Sequence, residues 1–160
     1  MMHCFSGGTV VARLASRDKF EAIRELIREA PVFDGSEVRD KIAEAVISRE
    51  KLLSTALGRG VAVAHGTTDA VGEIIIALGI SRAGIDYGAA DEQPVHLLFV
   101  ITNPPGMQAE YLLALAAVTR LVRDEAFRES LRREAPSGEI ESRICDAFSE
   151  SLKSYLTASA

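Results

Sequence analysis

Tryptophan is absent from this chain, and cysteine is nearly so: Cys4 and Cys145 are the only two among 160 residues. They lie far apart, with no partner at metal-ligand spacing. That excludes a disulfide framework and a cysteine-based metal centre, and it points to a reducing compartment. His3 adjoins Cys4, but in a glycine-containing terminus that offers no built metal site. Lysine and arginine total 18 against 23 acidic residues, for a formal net charge of -5. No basic block stands out to neutralise a phosphate backbone, so a nucleic-acid protein is not expected. The longest apolar run, Tyr111–Val118, is far too short to span a bilayer. A basic segment leading into an apolar one is also missing from the start, so no signal peptide is expected, and the reading is cytoplasmic.

Several catalytic motifs are missing as well. There is no G-x-x-x-x-G-K-[ST] run for a phosphate-binding loop. Gly58-Arg59-Gly60 lacks a third glycine and precedes a strand, so a dinucleotide fingerprint fails. No G-x-S-x-G elbow presents a serine. Nothing calls for a cofactor or a metal.

What is present is an ordinary globular composition, 48% apolar and 26% charged, in a length that suits one domain over 1–160. Residues 1–8 read as loosely attached. Thr9–Leu14 reads as a strand and Ser16 as a helix cap. Phe20, Ile23, Leu26 and Ile27 follow at helical spacing up to Pro31. Ser36 is the candidate cap of a second helix through Val46. Arg49–Gly60 reads as a connection, and Val61–Ala64 as a strand that ends on His65 and opens into a Gly66-Thr67-Thr68 loop. Glu73–Ile80 and Val95–Ile101 are apolar at nearly every position, the pattern of strands buried on both faces. The polar Ser81–Gln93 between them reads as an exposed excursion. After Asn103-Pro104-Pro105-Gly106, helices are expected over Ala109–Arg123, Ala126–Glu134 and from Ile140 to Leu152. Strands alternating with helices predict a three-layer α/β/α sandwich with a mixed, mostly buried sheet.

His65 is the foremost chemical candidate. An imidazole at a strand end is open to another molecule, although it also suits a plain cap on a neighbouring carbonyl. As a nucleophile it needs one free ring nitrogen and a second one held by a hydrogen bond. A phosphoryl group placed on it would carry about two negative charges. Backbone amides of Gly66, Thr67 and Thr68, their hydroxyls, and the planar fork of Arg49 are the donors at hand. His96 lies inside an apolar run and reads first as a sheet residue with one hydrogen bond. Tyr111 starts a helix and reads first as an amphipathic residue at the core edge.

The stretch from Arg49-Glu50 through Ser54-Thr55 and Gly58-x-Gly60 to Val61-Ala62-Val63-Ala64-His65-Gly66 resembles the active-site segment of phosphotransferase-system enzyme IIA domains. The likeness is to the fructose/mannitol and nitrogen-regulatory type. Gln93-Pro94-Val95-His96 with Pro104 resembles that family's second signature, and the likeness spans about residues 9–150. The resemblance implies a phosphocarrier that takes a phosphoryl group on His65 from an HPr-like protein. It implies Arg49 beside the phosphohistidine, and as partners an enzyme IIB or a regulated transporter or kinase. Two positions depart from the pattern. Ala64 replaces the usual proline, and Tyr111 stands where many members carry a second histidine. A non-catalytic interaction domain on the same fold is the alternative.

Overall fold

The computed structural model describes residues 2–4, 8–133 and 135–158. Its centre is a six-stranded sheet in the order β1-β5-β6-β4-β3, with β2 also pairing β5. The strands are β1 (Met2–Cys4), β2 (Val10–Val11), β3 (Ala56–Gly58), β4 (Val61–Thr67), β5 (Ile74–Ile85) and β6 (Val95–Asn103). The helices are α1 (Lys19–Glu29), α2 (Ser36–Leu52), α3 (Gln108–Leu121), α4 (Glu125–Arg132) and α5 (Ser137–Ala158). β5 and β6 are antiparallel, whereas β4 runs parallel to β6. The sheet is therefore mixed, as expected.

The apolar runs split by side-chain alternation into two cores. One face carries Val61, Val63, Ile74, Ile76, Leu78, Phe99 and Ile101, covered by Ala117 and Val118 of α3, Leu131 of α4 and Phe148 of α5. The other carries Ala62, Ala64, Ala77, Leu98 and Val100, covered by Ile23 and Leu26 of α1 and Ile42 and Val46 of α2. Large side chains line the first face and small ones β4's second face. The α2 helix can therefore approach β4 closely. At Gly66 the approach is extreme: an added Cβ would stand 2.8 Å from the Val46 nitrogen and 2.9 Å from the Ala45 carbonyl carbon.

Several expectations are corrected. Met2–Cys4, placed in the loose terminus, pairs in parallel with Ile74–Ile76; Met1 and residues 5–7 lie outside the described residues, as does Glu134. Thr9–Leu14 follows β5 along its length, but only Val10–Val11 is regular strand. The cap of α1 is Asp18, whose side chain accepts from the Phe20 and Glu21 amides. Ser16 acts elsewhere, since its amide and that of Ala15 each bind the Glu25 carboxylate at 2.8 Å. Burial alone would raise the Glu25 pKa, but the hydrogen bond from the Ser16 side chain and those from the two amides win and hold it below its ordinary value. Gly35 precedes α2, and Ser36 is already helical.

Two corrections bear on the site. The connection expected over Arg49–Gly60 is helix as far as Leu52, so Arg49 and Glu50 sit in the last turn of α2. The Gly66-Thr67-Thr68 loop is strand through Thr67, in register with Thr102 and Asn103 of β6. The excursion after Ile80 is also less exposed than its polarity suggests. β5 continues to Ile85, and Ser81, Ile85 and Tyr87 are buried.

Candidate functional site

His65 lies near the carboxyl end of β4, with Val61 and Val63 preceding it on the face that packs against α3. Among the described residues no strand pairs the β3 edge of β4 beyond the Ala56–Ala62 pair. The Val63 amide donates to the Thr55 carbonyl on that edge, and the Thr68 amide donates to Asn103 on the opposite side. Strand alternation then turns the amides of His65 and Thr67 toward the β3 edge.

Three predicted residues come together here. Tyr111, in the first turn of α3, lays its ring against the imidazole with centroids 4.9 Å apart and planes tilted by 39°. Arg49, in the last turn of α2, donates through Nη1 to the Leu53 carbonyl at 3.1 Å. Its charge acts on both rings. Burial and then the Arg49 guanidinium push the His65 pKa below its ordinary value, against a smaller pull upward from Glu50. Burial raises the Tyr111 pKa, and Arg49 opposes it. The result at pH 7 is a neutral imidazole beside a protonated phenol and a fixed cation. No hydrogen bond to either ring nitrogen of His65 occurs among the described residues, so the expected second anchor for the ring is not there.

The predicted phosphate-binding trio divides. Thr67 shares the sheet face of His65, is exposed, and exchanges hydrogen bonds with Asn103, whose Nδ2 donates to the Thr67 hydroxyl at 3.2 Å. Gly66 faces the opposite way, against the backbone of α2. Thr68 lies on that side too, in a cleft with Lys41, Ser48 and Asp69. Three further residues have no role of their own in the sequence reading. Asn103 is 2% exposed and binds Thr67 and the Pro104 carbonyl, bracing the strand ends. Its position just before Pro104-Pro105 was the available signal. Glu50 and Thr55 tie the end of α2 to the start of β3. The charged Glu50, set among the apolar positions of α2, was the signal there.

A family model described as "Phosphoenolpyruvate-dependent sugar phosphotransferase system, EIIA 2" matches residues 4–146. The chain belongs to this enzyme IIA family. A "Nitrogen regulatory protein" of Bradyrhizobium diazoefficiens is 35% identical over 123 residues, 77% of this chain and 80% of the relative. The "PTS system fructose-specific EIIABC component" of Bacillus subtilis is 31% identical over 142 residues. That match covers 89% of this chain but only 22% of the longer relative. Among solved structures, the nitrogen regulatory protein IIA-Ntr of Neisseria meningitidis superposes with a TM-score of 0.75 at 26% identity, covering 86% of this chain and 93% of that one. A complex of enzyme IIAMTL and phosphorylated enzyme IIBMTL from Escherichia coli shares the fold, with a TM-score of 0.68 at 22% identity over 93% of this chain and 96% of that one. Among the described residues, no helix is long and apolar enough to cross a membrane.

Proposed function

We propose that this IIA domain is a phosphocarrier whose acceptor is His65, loaded by an HPr-like histidine phosphocarrier in the cytoplasm. The observation that carries the reading is one half-buried imidazole, held neutral, with no ring hydrogen bond among the described residues and the Arg49 charge acting on it. A neutral imidazole offers a lone pair; a protonated one does not. In the transfer, that lone pair forms the new N–P bond as the donor's N–P bond breaks. The proton released by the acceptor ring balances the one regained by the donor ring.

The product carries two more negative charges than the free ring, and the surrounding groups suit it. Arg49 offers a charge-assisted hydrogen bond from a nitrogen not used on Leu53. The amides of His65 and Thr67 line the edge away from β6, and the Thr67 hydroxyl, paired with Asn103, shares the sheet face of the ring. The first turn of α3 begins at Met107 without a side-chain cap, so its amides are unclaimed by a capping side chain. Tyr111 stands at the rim as a donor. Gly66 and Thr68, both turned toward α2, shape the strand end that carries these groups.

A regulatory role of the nitrogen type is favoured over onward transfer to a sugar-specific enzyme IIB. The specific observation is Tyr111: a protonated phenol against His65 stabilises a phosphohistidine but cannot exchange a proton at neutral pH as a second histidine would. The deciding experiment is incubation of the full chain with a phosphorylated HPr-type donor. One acid-labile phosphoryl group per chain is expected. A chain that stays unlabelled with donors from both the sugar and nitrogen branches is an interaction domain only.

A further inference from the structure

Glu50 sits where a carboxylate is out of place. It is 2% exposed, and it lies in the last turn of a helix, where the carbonyl ends disfavour negative charge. A buried carboxylate is tolerated only if donors satisfy it. Here one residue does most of that. The Thr55 amide donates to Oε2 at 3.1 Å, and the Thr55 hydroxyl donates to Oε1 at 2.9 Å. That hydroxyl has a single proton, and Glu50 takes it. The Tyr87 phenol lies 3.1 Å from the Thr55 Oγ1 and also hydrogen-bonds the Glu50 carboxylate, so it belongs to the same network. Burial and Glu50 push the Tyr87 pKa far above its ordinary value, which keeps the donating proton in place. Tyr87 is itself 1% exposed and comes from beyond β5, 32 residues away in the chain.

The network closes a short loop. Thr55 is bound back to Glu50 on one side, and its carbonyl accepts from Val63 of β4 on the other, two residues before His65. Between the bound ends lies Leu53, in extended conformation at the end of α2, whose carbonyl is the anchor of Arg49. We propose that Tyr87 is a positioning residue for the His65 site, acting through Thr55 and Glu50 to fix the Leu53 carbonyl that holds Arg49. This rests on the phosphocarrier reading for its purpose, but its geometry does not depend on it. It gives the polar segment after β5 a role that no contact with His65 would suggest.

The test is a set of NMR titrations of His65 in the unphosphorylated full chain. The charged or titratable groups acting on the ring are Arg49, Glu50 and Tyr111; Tyr87→Phe leaves all three in place and removes only the phenol's contact with Thr55 and Glu50. Arg49→Ala should raise the His65 midpoint toward its ordinary value of 6.5. Tyr87→Phe should raise it part of the way, and the double variant should raise it no further than Arg49→Ala alone. Thr55→Val should behave like Tyr87→Phe, and Thr55→Ser like the parent. With a phosphorylated HPr-type donor, Tyr87→Phe should slow transfer by roughly fivefold, the scale of one hydrogen bond, with the KM for donor unchanged. An unshifted midpoint in Tyr87→Phe, even with a lowered melting temperature, makes the network purely structural and overturns the proposal. Shifts that add in the double variant overturn it as well, since Tyr87 then acts independently of Arg49. The titration reads the anchoring in a chain that takes no label. Failure of labelling therefore counts against the phosphocarrier reading, and failure of the shift against Tyr87.

Discussion

Two histidines stand on neighbouring parallel strands of one sheet, His65 on β4 and His96 on β6, and both are partly buried. They occupy opposite ends: His65 near where β4 finishes, His96 near where β6 begins. One ring nitrogen of His96 is already occupied. Its Nδ1 is 2.8 Å from the Ser81 carbonyl. Its ring lies over Gly60 and Gly84, both with positive φ, and an added Cβ on Gly84 would approach the ring carbon to 3.3 Å. His65 has a ring contact with Tyr111 and the field of Arg49, and no hydrogen bond among the described residues. Burial does not separate the two. What separates them is whether the ring nitrogens are already used. A nitrogen bound to a carbonyl fixes a tautomer and a place in the fold, and an uncommitted one is available to a reactant.

The strongest way to break this contrast is to delete each ring in turn. His65→Ala should abolish labelling by the phosphorylated donor and leave the fold intact. His96→Ala should label at the parental rate. It should also cost stability by about 1 kcal/mol or more, from the lost hydrogen bond and the emptied space over the two glycines. Residual label in His65→Ala, or label that moves to His96, would show that the uncommitted ring is not the acceptor.

Arg49→Ala probes the other half of the site, the cation whose charge acts on the His65 ring. A charge-assisted hydrogen bond contributes roughly 1.5–3 kcal/mol, against about 0–1 for an exposed ion pair. Phosphorylation should therefore fall by roughly 10- to 100-fold while the melting temperature shifts little. Arg49 has one capping bond, to Leu53, so some loss of helix-end stability is expected. A large drop in melting temperature with normal labelling of the folded fraction would make it a structural residue.

Much of this is legible in the sequence. The apolar runs in β5 and β6 mark strands covered on both faces, and they are. The match of Arg49 and His65 to a family pattern places both at one site, although the local pattern around Arg49 reads as a connection. The helix runs on because the buried Ile47 sustains its packing and Glu50 ties its end to Thr55, a tertiary effect that local polarity hides. Gly66-Thr67 looks like a loop because glycine and threonine resemble punctuation. In the fold, glycine is there because α2 leaves no room for a Cβ. The excursion after Ile80 misleads for a similar reason. Two of its polar side chains, Ser81 and Tyr87, are buried and spent on internal hydrogen bonds, while Arg82, Asp86, Asp91, Glu92 and Gln93 stay exposed as expected.

Tyr111 offers a gentler test, because it can lose its hydroxyl and keep its ring. In Tyr111→Phe the stacking on His65 should survive, and any bond from the phenol to a bound phosphoryl group should not. The expected cost is on the order of 1 kcal/mol, about fivefold in the hydrolytic lifetime of the phosphohistidine. Tyr111→His should change the transfer rate instead, by adding a group able to exchange protons near pH 7. An unchanged lifetime in the Phe variant would reduce Tyr111 to a packing partner.

The smallest effect sharpens the comparison without any donor. The folded-state pKa of His65 is depressed below 6.5, chiefly by burial and then by Arg49. Above that value the ring is neutral in both folded and unfolded chains and adds nothing to the pH dependence. As pH falls below it, the unfolded chain binds a proton more readily than the folded one. Stability then declines until the folded midpoint is reached, and His65's contribution is constant below that. Denaturant midpoints measured between about pH 7 and pH 5 should therefore fall less steeply in His65→Ala than in the parent. Glu25 and Asp91, also held below their ordinary values of 4.5 and 3.8, lose their contributions at lower pH and stay out of this window. A steeper fall in His65→Ala would mean that the folded site favours the imidazolium. The lone pair assigned to phosphoryl transfer would then be mostly protonated at neutral pH, and the functional contrast with His96 would lose its chemical basis.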